Sequence, residues 1–153
     1  MNALTQEWID KAEGDYLMAR REMGANRSPN YDGICFHAQQ AAEKYFKARL
    51  HAAAIPFGKI HDLSVLLDLV LPVEPEWELL RPAAETLTDY AVRFRYPGAS
   101  ATRLQARQAL ELCRLIRKAA RPSFRLKIPT SRQRSSATRK RAAGKARRKG
   151  GKG

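Results

Sequence analysis

Three short stretches hold most of the side chains able to do chemistry: FHAQQAAEKYFKARL at 36–50, KIHDLSVLL at 59–67 and YAVRFRYPG at 90–98. In the first, Gln40, Glu43, Lys44 and Lys47 recur at three- and four-residue steps, which places them on one face of a helix. Glu43 and Lys47 form a favourable i,i+4 ion pair, so the face reads as a solvated one carrying that pair or as a surface for a ligand or partner. In the second stretch His61 stands beside Asp62. A carboxylate can orient an imidazole for acid–base work, although a His-Asp pair at a helix start is more often simply a cap. In the third, Arg93, Arg95 and Tyr96 offer guanidinium forks for phosphate and a ring for a base. The structural alternative is that Arg95 pairs with Glu43 to lock two helices, with Tyr96 in the core.

The other reactive residue types say less. His37 and His51 have no acidic neighbour at ligand spacing and read as surface or interface residues. Cys35 and Cys113 lie far apart with no CxxC partner, so a cysteine zinc site and a disulfide framework are not expected, and both read as small buried hydrophobes. There is no GxxxxGK[ST], no GxGxxG after a strand, no HExxH and no GxSxG. No metal site and no cofactor are expected on these grounds.

The elements that must position these residues are helices. Strand signals are almost absent, with no sustained alternation and no Asn-Gly or Asp-Gly turn. Leu4, Trp8, Ala12, Tyr16 and Ala19 mark a first apolar stripe that stops near Gly24. Ile34, Ala38, Ala41, Tyr45, Ala48 and Ala52 mark a second helix over about 31–54, capped by Asn30 or Asp32 and ended by Pro56 and Gly58. Its small residues allow close approach, which makes it the expected central helix. A short third helix over about 61–71 turns Leu63, Leu66, Leu67 and Val70 inward. A fourth over about 76–94 presents Trp77, Leu80, Ala84, Leu87 and Ala91, with Pro82 in its first turns. The fifth opens at Ser100 or Thr102 with Gln105 completing a capping box, and carries Leu104, Gln108, Leu112, Leu115 and Ala119 up to Pro122. The expected fold is all-α: an antiparallel up-and-down bundle of four to five helices over 1–120, followed by a basic C-terminal tail over 121–153.

Charge separates these two parts. Residues 1–120 contain 16 Lys+Arg and 15 Asp+Glu, whereas 121–153 contain 13 Lys+Arg and no acid. With almost nothing apolar after Ile128, the tail is expected to be disordered in isolation. Arg139, Lys140, Arg141, Lys145, Arg147, Arg148 and Lys149 have the charge density that neutralises RNA or DNA phosphates, or else serve only to solubilise. The tail has no aromatic for stacking and no rigid element for a groove, so reading of base sequence by it is not expected. No apolar run is long enough to span a membrane, and MNALTQEWIDKAEGDY has neither a basic n-region nor an apolar h-region, so no secretory signal and a cytoplasmic protein without a membrane partner are expected.

Taken together, the motifs resemble the HEPN-domain family, small prokaryotic helical bundles often encoded beside minimal nucleotidyltransferases. The resemblance rests on Trp8 with the Ala-x-x-Asp-Tyr-Leu run from Ala12 to Leu17, and on Gln-Gln-Ala-Ala-Glu-Lys-x-x-Lys-Ala from Gln39 to Ala48. His61-Asp62-Leu63 and Arg95-Tyr96-Pro97 complete it. It covers about residues 4–120 and leaves out the tail. Some members resemble one another in an Arg-x4–6-His pair that serves metal-independent RNA cleavage between two protomers. That spacing is missing here: the nearest pairs are Arg27 with His37 and Arg49 with His51 or His61. The resemblance therefore implies the other role in the family, a non-catalytic, antitoxin-like or substrate-presenting partner of a nucleotidyltransferase. It also implies a homodimer and a nucleotide pocket. A divergent ribonuclease using His61 and Arg95 as a substitute pair is the alternative, and a nucleic-acid-associated protein acting through its tail is a third.

Overall fold

The computed structural model describes residues 1–124. The expected disorder of the tail, and the seven tail residues from Arg139 to Lys149, lie outside the described residues. Five α-helices are present, α1 (Ala3–Met23), α2 (Tyr31–Ala52), α3 (Leu63–Val70), α4 (Arg81–Arg93) and α5 (Arg103–Ser123), with a 3₁₀ segment, Pro75–Leu80, before α4. Among the described residues there is no strand, so the fold is all-α as expected.

Local chemistry sets the helix starts. The side chains of Asn2, Asn30 and Asp62 accept from backbone N–H groups of Leu4, Gly33 and Ser64, each at 2.8 Å. Thr102 and Gln105 close a reciprocal capping box. α2 ends at Ala52, earlier than Pro56 requires. The N–H of Ile55 reaches back to the Leu50 carbonyl and that of Ala54 to His51, while Ala54 takes a left-handed φ of 56°. This is a Schellman closure made with alanine where glycine is the usual residue.

α2 packs against α1, α3, α4 and α5, and twelve of its 22 residues are buried. α1 runs antiparallel to it: Thr5 meets His51, Glu13 meets Tyr45 and Asp15 meets His37. α1 is also antiparallel to α5, with Glu13 against Arg117 and Arg121 and Tyr16 against Arg114. The N–H of Ala101 donates to Asp32 at 2.6 Å, so α5 and α2 start side by side. Ala38, Ala41, Ala42 and Ala48 of α2 are fully buried, as are Ala106, Ala109 and Ala120 of α5. These methyl-only faces let the two backbones approach closely.

Four sequence expectations change. The fourth helix is broken near its start, because Pro82 has no N–H for the Glu78 carbonyl and its ring crowds that turn; the α-helix begins anew with Pro82 near its start. The third helix starts at Leu63, capped by Asp62, which leaves His61 in the preceding loop. On α5 the expected stripe is mostly off the core: Leu104 is 74% and Leu115 53% exposed and Gln108 is exposed, while Leu112 and Ala119 are half-buried against it. The face actually used is Ala106, Ala109, Leu110, Cys113, Ile116 and Ala120, an equally regular repeat that better fits the alanine face of α2. The bundle also extends past 120, since α5 continues through Pro122 to Ser123 and Phe124 is buried.

Candidate functional site

A cleft of about 420 Å³ opens between the first turns of α2, the loop entering α3, and the last turns of α4 with its exit. Gln40, His61, Asp62 and Arg95 all line it, so four of the residues singled out by type and spacing meet there. Phe36, Gln39, Thr88 and Val92 line it as well. The Arg95 guanidinium lies over the Phe36 ring, 5.8 Å from its centroid. This combines a cation with an apolar plate on one wall.

Beneath the cleft lies Glu43, only 4% exposed. Its carboxylate accepts from Lys47 Nζ at 2.8 Å, His61 Nδ1 at 3.0 Å, Gln39 Nε2 at 3.2 Å and Gln40 Nε2 at 3.4 Å. Gln40 also donates to Gln39 Oε1 at 2.9 Å, and Gln39 donates to the His61 carbonyl at 3.2 Å. Burial on its own would raise the Glu43 pKa. The hydrogen bonds from Lys47, His61 and Gln39 outweigh it and hold the carboxyl below its ordinary value. Since Glu43 is ionised and can only accept, the proton of a neutral His61 must sit on Nδ1, which leaves Nε2 as a free acceptor. The imidazole is 75% exposed at the rim of the cleft. A buried carboxylate that fixes the tautomer of an exposed imidazole is an arrangement suited to acid–base chemistry or to holding a phosphate.

The helix face holding Gln40, Glu43 and Lys47 is therefore not solvated. Lys47 is 5% exposed, and its Nζ lies 5.7 Å from the ring centroids of both Trp8 and Phe57. The α3-entry loop and two aromatic rings cover what helical spacing alone leaves open. Lys44 points elsewhere, to Asp15 of α1, which also holds His37 Nδ1 at 2.9 Å. His37 thus has an acidic partner that local sequence does not reveal, and His51 Nδ1 meets the buried Thr5 hydroxyl at 2.6 Å.

Contacts decide between the alternatives that the sequence leaves open, and Asp62 is the cap of α3. Asp62 does not orient His61, because its carboxylate is committed to the α3 backbone; Glu43, eighteen residues earlier, does so instead. Arg95 does not pair with Glu43, whose oxygens are already taken. Tyr96 is 63% exposed and lies neither in the core nor in the cleft lining. Arg93 pairs with Asp89 and lies over Tyr90 and Phe94, away from the cleft lining. Of the residues missed, Gln39 and Phe36 stood within the FHAQQ run beside Gln40. Thr88 and Val92 carried no signal, being unremarkable members of an amphipathic helix.

Among the described residues no group of three or more His, Cys, Asp and Glu is placed to hold a metal ion. Cys35 and Cys113 are buried free thiols, as expected, and burial pushes them up to about 11 and about 12, so neither is a ready nucleophile. No helix among the described residues is long and apolar enough to cross a membrane.

The all-helical bundle carries the Gln-Gln-x-x-Glu segment, Gln39 to Glu43, under its cleft. The HEPN domain matches residues 5–122, and the chain belongs to the HEPN-domain family. Comparison with curated proteins and with solved structures gave no match.

Proposed function

We propose that this HEPN domain is a binding module whose cleft takes a phosphate-bearing nucleotide, and that it serves as the presenting or antitoxin-like partner of a nucleotidyltransferase. The observation that carries the reading is the convergence of Arg95, His61 and the Gln40 carboxamide around the Phe36 plate in one cleft, with Gln39 bonded beneath them. Guanidinium and imidazole suit phosphate oxygens, Gln40 Oε1, which no donor occupies among the described residues, can accept from the edge of a base, and the ring with its stacked cation suits a base face. The nucleotidyltransferase and a homodimer come from family membership, and the missing Arg-x4–6-His spacing supports a role without turnover.

The test is calorimetric titration of the full chain with AMP, ATP and inorganic phosphate, together with capture of its protein partner from native extract. Saturable nucleotide binding that Arg95→Gln weakens at least tenfold, with a nucleotidyltransferase recovered stoichiometrically, is the expected result. No nucleotide binding at millimolar concentration would reject the cleft assignment.

A second reading has its own observation in favour. With Nδ1 held by Glu43, the free Nε2 of His61 is a candidate general base beside Arg95, as a divergent RNA-cleaving enzyme needs. Cleavage of RNA by wild type, lost in His61→Ala with the melting temperature unchanged, would move the domain to that class.

A further inference from the structure

The charge boundary of this chain does not fall where the tail begins. Residues 1–102 carry 11 Lys+Arg against 14 Asp+Glu, whereas 103–153 carry 18 Lys+Arg and a single acid, Glu111. The last helix of the folded domain therefore belongs electrostatically with the C-terminal segment. Along α5, Arg103, Arg107, Arg114, Lys118 and Arg121 are spaced four, seven, four and three residues apart, steps that return to one side of a helix. From Arg103 to Arg121 the row extends roughly 27 Å at ~1.5 Å per residue. Arg117 flanks it. α1 adds Arg20, whose guanidinium lies 5.9 Å from the Tyr16 ring that Arg117 covers at 4.4 Å.

Few anions answer this row. Glu13 binds Arg117 and Arg121, and Glu111 binds Arg114. Arg20, Arg103, Arg107 and Lys118 are exposed and form no ion pair among the described residues. Holding so many like charges on one helix is unfavourable for the isolated fold. It becomes favourable against a linear anion with about one charge per helical turn of the row. Past α5 the chain carries 12 further Lys+Arg and no acid.

We propose that the α1–α5 edge is a track for the phosphodiester backbone of nucleic acid, separate from the cleft. The row presents guanidinium and ammonium groups with no exposed aromatic among them, so it reads phosphates and not bases. A lipid surface fits less well. Leu104 and Leu115 are exposed beside the row but stand eleven residues apart, short of the broad apolar face that insertion uses.

The experiment measures affinity of the full chain for a short single-stranded RNA and a duplex DNA of equal length, by fluorescence anisotropy, as salt rises from ~50 to ~200 mM. Three proteins are compared: wild type, the triple variant Arg103→Gln/Arg107→Gln/Lys118→Gln, and a variant with the seven tail positions from Arg139 to Lys149 changed to Gln. The track predicts that the triple variant lowers the slope of log affinity against log salt by about 2 on RNA, at ~0.7 per contact, and weakens binding roughly a hundredfold at ~50 mM. The tail variant should weaken both nucleic acids further and leave the contribution of the α5 row measurable. Since the three side chains are exposed and unpaired, melting temperature should hold; if it falls, Arg107→Gln alone, with an expected slope change of ~0.7, gives the same reading. A triple variant that binds like wild type overturns the proposal, as does binding to only one of the two nucleic acids. Absence of binding by the wild type, or stronger binding to phosphatidylserine vesicles than to either nucleic acid, also overturns it.

Discussion

Glu13 sits where α1 meets α2 and α5, Glu43 where α2 meets the loop entering α3, and each gathers several donors. Glu13 accepts from Tyr45 at 2.6 Å, from Arg117 through two nitrogens and from Arg121 at 2.8 Å, tying α1 to α2 and α5. Glu43 accepts from Lys47, His61, Gln39 and Gln40. Both pKa values lie below the ordinary one, because hydrogen bonds outweigh a burial that would raise them. The difference is in what lies at the far end. The Glu13 donors end in a clamp between helices, with the carboxylate 24% exposed and arginines that reach water. The Glu43 donors end at an open cleft, through an imidazole that is itself exposed. One pattern of bonds holds helices together; the other holds functional groups in place, at the cost of a fully buried ammonium beside it.

The largest effect separating the two should come from Glu43→Ala. It strands Lys47 between Trp8, Phe57 and the core without a counter-ion, and a loss of about 3–5 kcal/mol in urea denaturation is expected. Replacing both partners, Glu43→Leu with Lys47→Met, should restore most of that loss, because no unpaired charge remains. Glu13→Ala should cost less, about 1–3 kcal/mol, since its arginines can turn to solvent. Equal losses for the two single variants would erase the distinction.

Acid provides a gentler comparison. Both carboxyls are depressed in the fold relative to an ordinary value of 4.5, so the unfolded chain takes up protons first as pH falls. Their contribution is fully present above about pH 4.5 and is lost as pH drops through the lower folded values. The urea midpoint should fall with acidification in that window, and the fall should be shallower in Glu13→Ala and Glu43→Ala. A midpoint that does not vary with pH would show that neither carboxylate is held as described.

The smallest effect concerns neither network. Ala54→Gly relieves the left-handed residue that ends α2 and should stabilise by up to about 1 kcal/mol, read as a higher melting temperature. An unchanged or lower value would show that the strain is offset in the unfolded chain.

Helix existence, helix caps and most of the core were legible because they are local. Asn30, Asp62 and the Thr102–Gln105 box act within four residues of themselves, and the α3 stripe of Leu63, Leu66, Leu67 and Val70 is buried as its period implies. The α5 face was misread because two apolar repeats run along that helix, and only contact with the alanines of α2 selects between them. Similarly, Gln40, Glu43 and Lys47 were assigned to one face correctly, but whether that face is wet depends on Trp8, Phe57 and His61. These belong to α1 and to the segment between α2 and α3.

By itself, then, the chain determined an all-helical domain, its family, and which residue types stand ready for phosphate or proton chemistry, since periodicity, capping and motif order are written along the backbone. Only the tertiary structure decided that Glu43, and not the adjacent Asp62, holds His61, and that Arg95 stacks on Phe36. It also decided that Lys44 faces Asp15 and that Lys47 is sealed in. Each of those outcomes depends on a partner brought close by packing. A charge takes the partner that burial leaves it, which sequence neighbourhood does not specify.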